Sequence, residues 1–222
     1  MTSDLPAVHI QKRLRSPAVT PQALTWHNGE LWLGSRDLRR VYGIDVSEWR
    51  VFEEREAPGI PWAAVSVGDS LRFTIGEGAE DDRYLWSYKP GEGFSDAGRF
   101  AYPEFTGSYL SCDGQNVYLS QWYKGRIMKL APNGEVLREI TVPGEISGHT
   151  FVNGSIYVLH GTEQEGESWT IGELDLNQAS PAVRDIAVVP FQCRSLTHDG
   201  RNFWSNFRSA GETISFSLPT AR

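Results

Sequence analysis

The chain has 222 residues, a formal charge of -7, 40% hydrophobic and 12% aromatic residues, and 8 Trp, enough to hide roughly 70% of its unfolded surface and so to exclude a disordered protein. Lys and Arg are scattered apart from Lys12 to Arg15 and Arg36 to Arg40, which excludes a phosphate backbone, and hence nucleic acid, as the expected partner. No stretch approaches the ~18 apolar residues of a membrane span, and Met1-Thr-Ser-Asp-Leu-Pro6 lacks the basic and apolar segments of a secretory signal, so the cytoplasm is the expected compartment.

The first element is Ala7 to Leu14, an alternating stretch that reads as a strand without a neighbour to pair with. A phrase then returns five times: Trp26-His-Asn-Gly-Glu-Leu-Trp32, Ser66-Val-Gly-Asp-Ser-Leu-Arg72, Cys112-Asp-Gly-Gln-Asn-Val-Tyr118, Val152-Asn-Gly-Ser-Ile-Tyr157 and His198-Asp-Gly-Arg-Asn-Phe-Trp204. Each joins a short strand to a second one through a tight glycine turn, and the turns recur at roughly 40 to 46 residues, the period of a propeller blade. Third strands are predicted at Arg40 to Asp45, Arg83 to Tyr88, Arg126 to Leu130, Thr170 to Asp175 and Thr213 to Ser217. Fourth strands follow in the first four repeats, at Trp49 to Glu53, Phe94 to Phe100, Val136 to Thr141 and Val183 to Val188.

The fifth repeat ends without a fourth strand, and the unpaired strand at 7–14 supplies one. The expected fold is therefore all-β, a single-domain five-bladed β-propeller over residues 1–222. Its blades lie near 17–54, 59–101, 104–142, 145–189 and 192–219, with 7–14 completing the last. Long helices are excluded by 22 Gly and 12 Pro spread along the chain. A β-sandwich is the alternative, but it gives no reason for the period. Cys112 and Cys193 fall at different heights of their repeats, so two free thiols are expected.

The glycine turns define one face of the propeller, where Asn, Asp and Gly recur because they tolerate positive φ. The loops on the opposite face differ from blade to blade, and blade equivalents converge on the axis, so a single polar pocket with aromatic walls is expected there. The candidates are Gln22, Arg36, Trp62, Glu77, Tyr109, Trp122, His149, His160, Arg194 and Asn206. In this reading Arg194 and Arg36 hold an anionic or carbonyl group, His149 is acid or base, Glu77 assists, and Trp62 and Trp122 form walls. Gln22, Tyr109, His160 and Asn206 complete the binding surface. Solvation alone also makes channel mouths polar.

No metal-ligand spacing occurs, and Gly76-Glu-Gly-Ala-Glu-Asp-Asp82 does not match an EF-hand loop. A divalent metal is left open without a motif to indicate it, and the cofactor is unassigned. The expected function is a small-molecule enzyme, a lyase, cyclase or hydrolase, acting on one ligand at the channel mouth. The alternative is a non-catalytic ligand-binding or protein-interaction propeller.

The first repeat, Gln22-Ala-Leu-Thr-Trp-His-Asn-Gly-Glu-Leu-Trp-Leu-Gly-Ser-Arg36, resembles the opening blade of the five-bladed glutaminyl cyclotransferase family, with its Gln-Gly-Leu-like step followed by a Leu-Tyr-Glu-Ser strand. Where that family carries its acidic residue, this chain has Leu33 or Gly34. The blade phrase is also similar to gluconolactonase-like and streptogramin lyase-like propellers. The resemblance implies a propeller enzyme with its site at the channel mouth.

Overall fold

The glycine turns close hairpins whose geometry the sequence dictates. Asn28 and Gly29 have φ of 50° and 90°, and Asn153 and Gly154 have φ of 51° and 86°, the pair of positive values that a two-residue type I′ turn requires. At Asp113 and Asp199 the carboxylate instead accepts the N–H groups two and three residues on, at 2.9 and 2.7 Å and at 2.8 and 2.6 Å. That side chain replaces the backbone contact of a tighter turn.

The computed structural model describes residues 5–164, 166–178 and 181–220, and among them twenty strands form five four-stranded antiparallel sheets. After β1 (His9–Arg15), the first blade is β2 (Pro21–His27), β3 (Glu30–Ser35), β4 (Arg40–Asp45) and β5 (Arg50–Glu56). The second is β6 (Ile60–Val67), β7 (Ser70–Glu77), β8 (Asp82–Lys89) and β9 (Gly93–Ala101), and the third is β10 (Leu110–Cys112), β11 (Val117–Gln121), β12 (Arg126–Leu130) and β13 (Val136–Thr141). The fourth blade is β14 (Glu145–Val152), β15 (Ser155–Thr162), β16 (Ser168–Leu174) and β17 (Arg184–Val189). The fifth holds β18 (Arg194–His198), β19 (Phe203–Phe207) and β20 (Glu212–Ser217).

The ring closes as the sequence implies. β1 pairs antiparallel with β20 from His9 opposite Ser217 to Arg15 opposite Glu212, giving the sheet order β1-β20-β19-β18. The segment leading into β1 also straps the fourth blade, with Val8 N–H donating to Val188 O at 3.0 Å and Val188 N–H to Pro6 O at 2.9 Å. Closure covers two outer edges that would otherwise expose unpaired backbone groups.

The blades stack through large side chains at equivalent second-strand positions. Trp32, Tyr118 and Trp204 are buried there and Tyr157 is partly buried. Trp32 meets Phe52 and Tyr88 edge-on at 5.6 and 5.3 Å, and Trp204 stacks on Trp49 at 6.3 Å. Repetition of aromatics at one register position is thus packing between sheets.

Around the axis, polar side chains tie neighbouring inner strands together. Ser195 Oγ donates to Gln22 O at 2.7 Å, Trp26 N–H to Thr197 Oγ1 at 2.9 Å, and Ser147 Oγ to Cys193 O. β14 and β18 approach so closely that a Cβ on Gly148 would lie 2.6 Å from the Ser195 carbonyl carbon, so only glycine fits. Cys112 and Cys193 are free thiols, with Cys193 buried and its pKa driven up by that burial.

Candidate functional site

The inner strands carry an irregularity at the end remote from the glycine turns. The pairing register shifts between Pro21 and Ala23 in β2, Pro61 and Ala63 in β6, Ile146 and Gly148 in β14, and Arg194 and Thr197 in β18. A bulge frees a side chain from the ladder's alternation and re-aims it. At Gln22 and Trp62 the freed side chain lines a cavity of about 340 Å³ at the channel mouth.

That cavity is bounded by Gln22, Arg36, Trp62, Arg83, Ser108 and Tyr109, and across from them by Trp122, Tyr123, Glu163, Arg194 and Arg208. Trp122 and Tyr123 come from a one-turn 3-10 helix, Trp122–Lys124, and Arg208 from another, Arg208–Ala210. Both helices occupy the loop between second and third strands and end on a left-handed glycine, Gly125 and Gly211.

Four guanidinium groups and one carboxylate, that of Glu163, face this space. Arg83 lies 4.0 Å over the Trp62 ring, and Asp81 holds both: Oδ2 accepts Arg83 Nη2 at 2.6 Å and Oδ1 accepts Trp62 Nε1 at 3.0 Å. Arg194 is nearly buried, donates Nη1 to Glu167 Oε1 at 2.6 Å and Nη2 to Glu163, and sits 5.1 Å over Trp122. Burial works against the charge of Arg194, but Tyr109 and the two carboxylates more than offset it, so its pKa is raised. Arg208 donates Nη1 to Gln22 Oε1 at 2.7 Å, and Gln22 Nε2 donates to the Tyr109 hydroxyl at 3.3 Å. Burial raises the Tyr109 pKa despite nearby Arg194. The Trp122 Nε1 is buried without a hydrogen-bond partner among the described residues.

Of the ten candidates named from sequence, Gln22, Arg36, Trp62, Tyr109, Trp122 and Arg194 meet at this cavity. The other four lie elsewhere, and each has a physical reason. His149 is completely buried below the mouth, between Ser111 Oγ at 2.7 Å on Nδ1 and the Tyr109 carbonyl at 3.1 Å on Nε2. A carbonyl only accepts, so Nε2 carries the proton and Nδ1 accepts from Ser111. Burial lowers its pKa to about 4. A neutral imidazole with both nitrogens engaged joins the third and fourth blades and cannot serve as the acid or base of the cavity.

Glu77 is on the outer part of the second blade, accepting Trp86 Nε1 at 2.7 Å and Arg99 Nη2 at 2.9 Å. His160 points outward too, bonded to Asp185 Oδ1 at 2.8 Å and the Pro143 carbonyl at 3.1 Å, which links β15 to the outer strand β17. Asn206 is buried and donates to the Gln22 and Ala23 carbonyls at 3.3 and 3.4 Å, a staple between the fifth and first blades.

Arg83, Ser108, Tyr123, Glu163 and Arg208 complete the lining. Ser108, Glu163 and Arg208 lie in the variable loops that the repeat alignment marks, whereas Arg83 opens a third strand, where no loop signal points to it. Among the described residues no cluster of three or more His, Cys, Asp or Glu has the arrangement of a metal site, and no helix is long and apolar enough to cross a membrane.

No protein-family model matches the chain, and no curated protein matches it in sequence. Solved structures do. Myxococcus xanthus glutaminyl cyclase is 13% identical, with 97% of this chain and 98% of that chain covered and a TM-score of 0.72. The PQQ-bound aldose sugar dehydrogenase of Streptomyces coelicolor is 11% identical over 97% and 100%, with a TM-score of 0.64. Virginiamycin B lyase from Staphylococcus aureus is 15% identical over 93% of this chain and 69% of that chain, with a TM-score of 0.54. At such identities the likeness is one of fold: the chain is a β-propeller whose structural neighbours include a cyclase, a lyase and a dehydrogenase.

Proposed function

We propose that the mouth cavity is the site of a small-molecule enzyme of the lyase, cyclase or hydrolase type, working by acid–base chemistry. The observation that carries this reading is the placement of Glu163, the one carboxylate among the described residues that lines the cavity, directly against Arg194. A carboxylate in that position takes a proton from a bound substrate. The positive charge of Arg194, held in place by its own hydrogen bonds, then stabilises the negative charge that develops on the substrate and needs no reorganisation as the proton leaves. Gln22 and Tyr109, hydrogen-bonded to each other, orient the polar group of the substrate, and Trp62 and Trp122 hold its body. His149, Glu77, His160 and Asn206 have structural roles in this scheme.

One observation favours binding without turnover. The Ser108 hydroxyl accepts the Trp122 N–H at 3.1 Å and has no His or carboxylate partner among the described residues, so covalent catalysis by an activated serine has no base to start it. The test is a turnover screen of lactones, amides and N-terminal glutaminyl peptides by mass spectrometry, repeated with Glu163→Gln. Loss of about 10²- to 10⁴-fold in rate is expected for that variant. Full activity in Glu163→Gln removes the assignment. Binding of a screened compound with no turnover by the wild type selects the binding protein.

A further inference from the structure

The four arginines of the cavity differ in what they still have to donate. Arg83 has a partner on each nitrogen, with Nε on Asp81 O at 2.9 Å, Nη1 on Gly107 O at 3.1 Å and Nη2 on Asp81 Oδ2 at 2.6 Å. Arg194 also makes three bonds, Nη1 to Glu167 and the Cys193 carbonyl and Nη2 to Glu163. Arg36 uses only Nε, on Asp37 at 2.8 Å, and Arg208 only Nη1, on Gln22 at 2.7 Å. The other guanidinium N–H groups of these two side chains reach no described residue. Glu163 stands 3.9 Å from Arg208 Nη2, beyond hydrogen-bond distance.

The carboxylates Asp37, Asp81 and Glu167 hold their arginines from outside the lining, so the surface a ligand meets is cationic. Arg208 feels the crowding: burial and the like charge of Arg194 and Arg36 lower its pKa. Guanidinium groups with spare donors in a partly enclosed, positively charged space are completed by an anion.

We infer that Arg208, with Arg36, anchors a carboxylate group of the ligand, and that the ligand is a small carboxylate with a planar body. The guanidinium fork matches a carboxylate in two parallel bonds. A phosphate fits less well, because its second negative charge would be set against Glu163. Trp62, Tyr109 and Trp122 supply the flat walls, and about 340 Å³ is a volume ordinary for small-molecule sites. The anion-holding role expected of Arg194 thereby passes to Arg208, since Arg194 already makes three hydrogen bonds to protein groups and Arg208 makes one. This inference rests on the cavity being the functional site and is separate from the question of turnover.

Isothermal titration calorimetry at low salt with indole-3-acetate, indole-3-acetamide and phenyl phosphate tests it. The carboxylate is expected to bind at least about tenfold tighter than its amide, and tighter than phenyl phosphate. Arg208→Gln should weaken the carboxylate by about 10- to 100-fold while leaving the amide unchanged. Arg36→Gln, at a more exposed site, should give a smaller loss in the same direction and serves if Arg208→Gln does not fold. Equal binding of acid and amide, preference for the phosphate, indifference to both substitutions, or no binding of any probe overturns the anchor. Turnover that depends on Glu163 without carboxylate preference removes only the anchor. Carboxylate preference without turnover removes only the catalytic reading.

Discussion

The interior of the central channel and its mouth are both polar, yet they are built on opposite principles. Inside, Ser111, Ser147, His149, Ser195, Thr197 and Asn206 are buried and neutral, and their hydrogen bonds end on the backbone or on other buried polar side chains. At the mouth, Arg36, Arg83, Arg194, Arg208 and Glu163 are charged, and Arg36 and Arg208 each use a single guanidinium N–H, leaving most of their donors unused. A buried polar group with all its bonds made holds the ring together. A charged group with bonds left over has something to offer a ligand. Polarity near the axis is therefore not by itself a sign of function; unsatisfied bonding capacity is.

Substitutions on the two sides should separate cleanly. The largest effect belongs to the mouth: Glu163→Gln should reduce any turnover by about 10²- to 10⁴-fold with melting temperature near wild type. Next comes the packing that surrounds the channel. Trp204→Ala removes a side chain 2% exposed, stacked on Trp49 and bonded through Nε1 to Asp199 at 2.7 Å. Denaturant unfolding should show a loss of about 3 to 5 kcal/mol.

His149→Gln probes the interior itself. The folded-state pKa of His149 is lowered from 6.5 to about 4, so between those values the unfolded chain binds a proton that the native one does not. Stability from this group is complete above about pH 6.5 and declines as pH falls toward 4, by about 3 kcal/mol in all. Unfolding measured across that window should be less steeply pH-dependent in His149→Gln, while turnover at neutral pH survives. Loss of turnover with an unchanged pH profile would return His149 to the active machinery. The smallest effect is Glu77→Gln, which weakens a partly exposed pair with Arg99 and should cost under about 1 kcal/mol without changing turnover.

Much of the fold could be read from the chain because propeller grammar is local. Asn28-Gly29 and Asn153-Gly154 announce their turns by chemistry that only positive φ requires, and the strand at β1 was legible as the missing partner of β20. The site was half legible. Alignment of the repeats picked out the loops carrying Gln22, Trp62, Tyr109 and Arg194, because blade equivalents share a height along the axis. It could not tell which way a side chain turns. Gln22 and Trp62 face the cavity through bulges that break the alternation, whereas the matching residue of β14 is Ser147, and His149, two residues further on, faces the interior of the channel. Arg83 reaches the mouth along the Trp62 ring from a third strand, a tertiary contact with no sequence signature.

The most direct measurement is a crystal structure of the protein soaked in a mixture of small planar carboxylates and neutral analogues. The expected result is density in the mouth cavity, its body against Trp62, Tyr109 and Trp122 and a carboxylate on Arg208. Density only in the apolar groove of Val67, Leu85, Phe100 and Val117 between the second and third blades, with the arginine mouth empty, would contradict it.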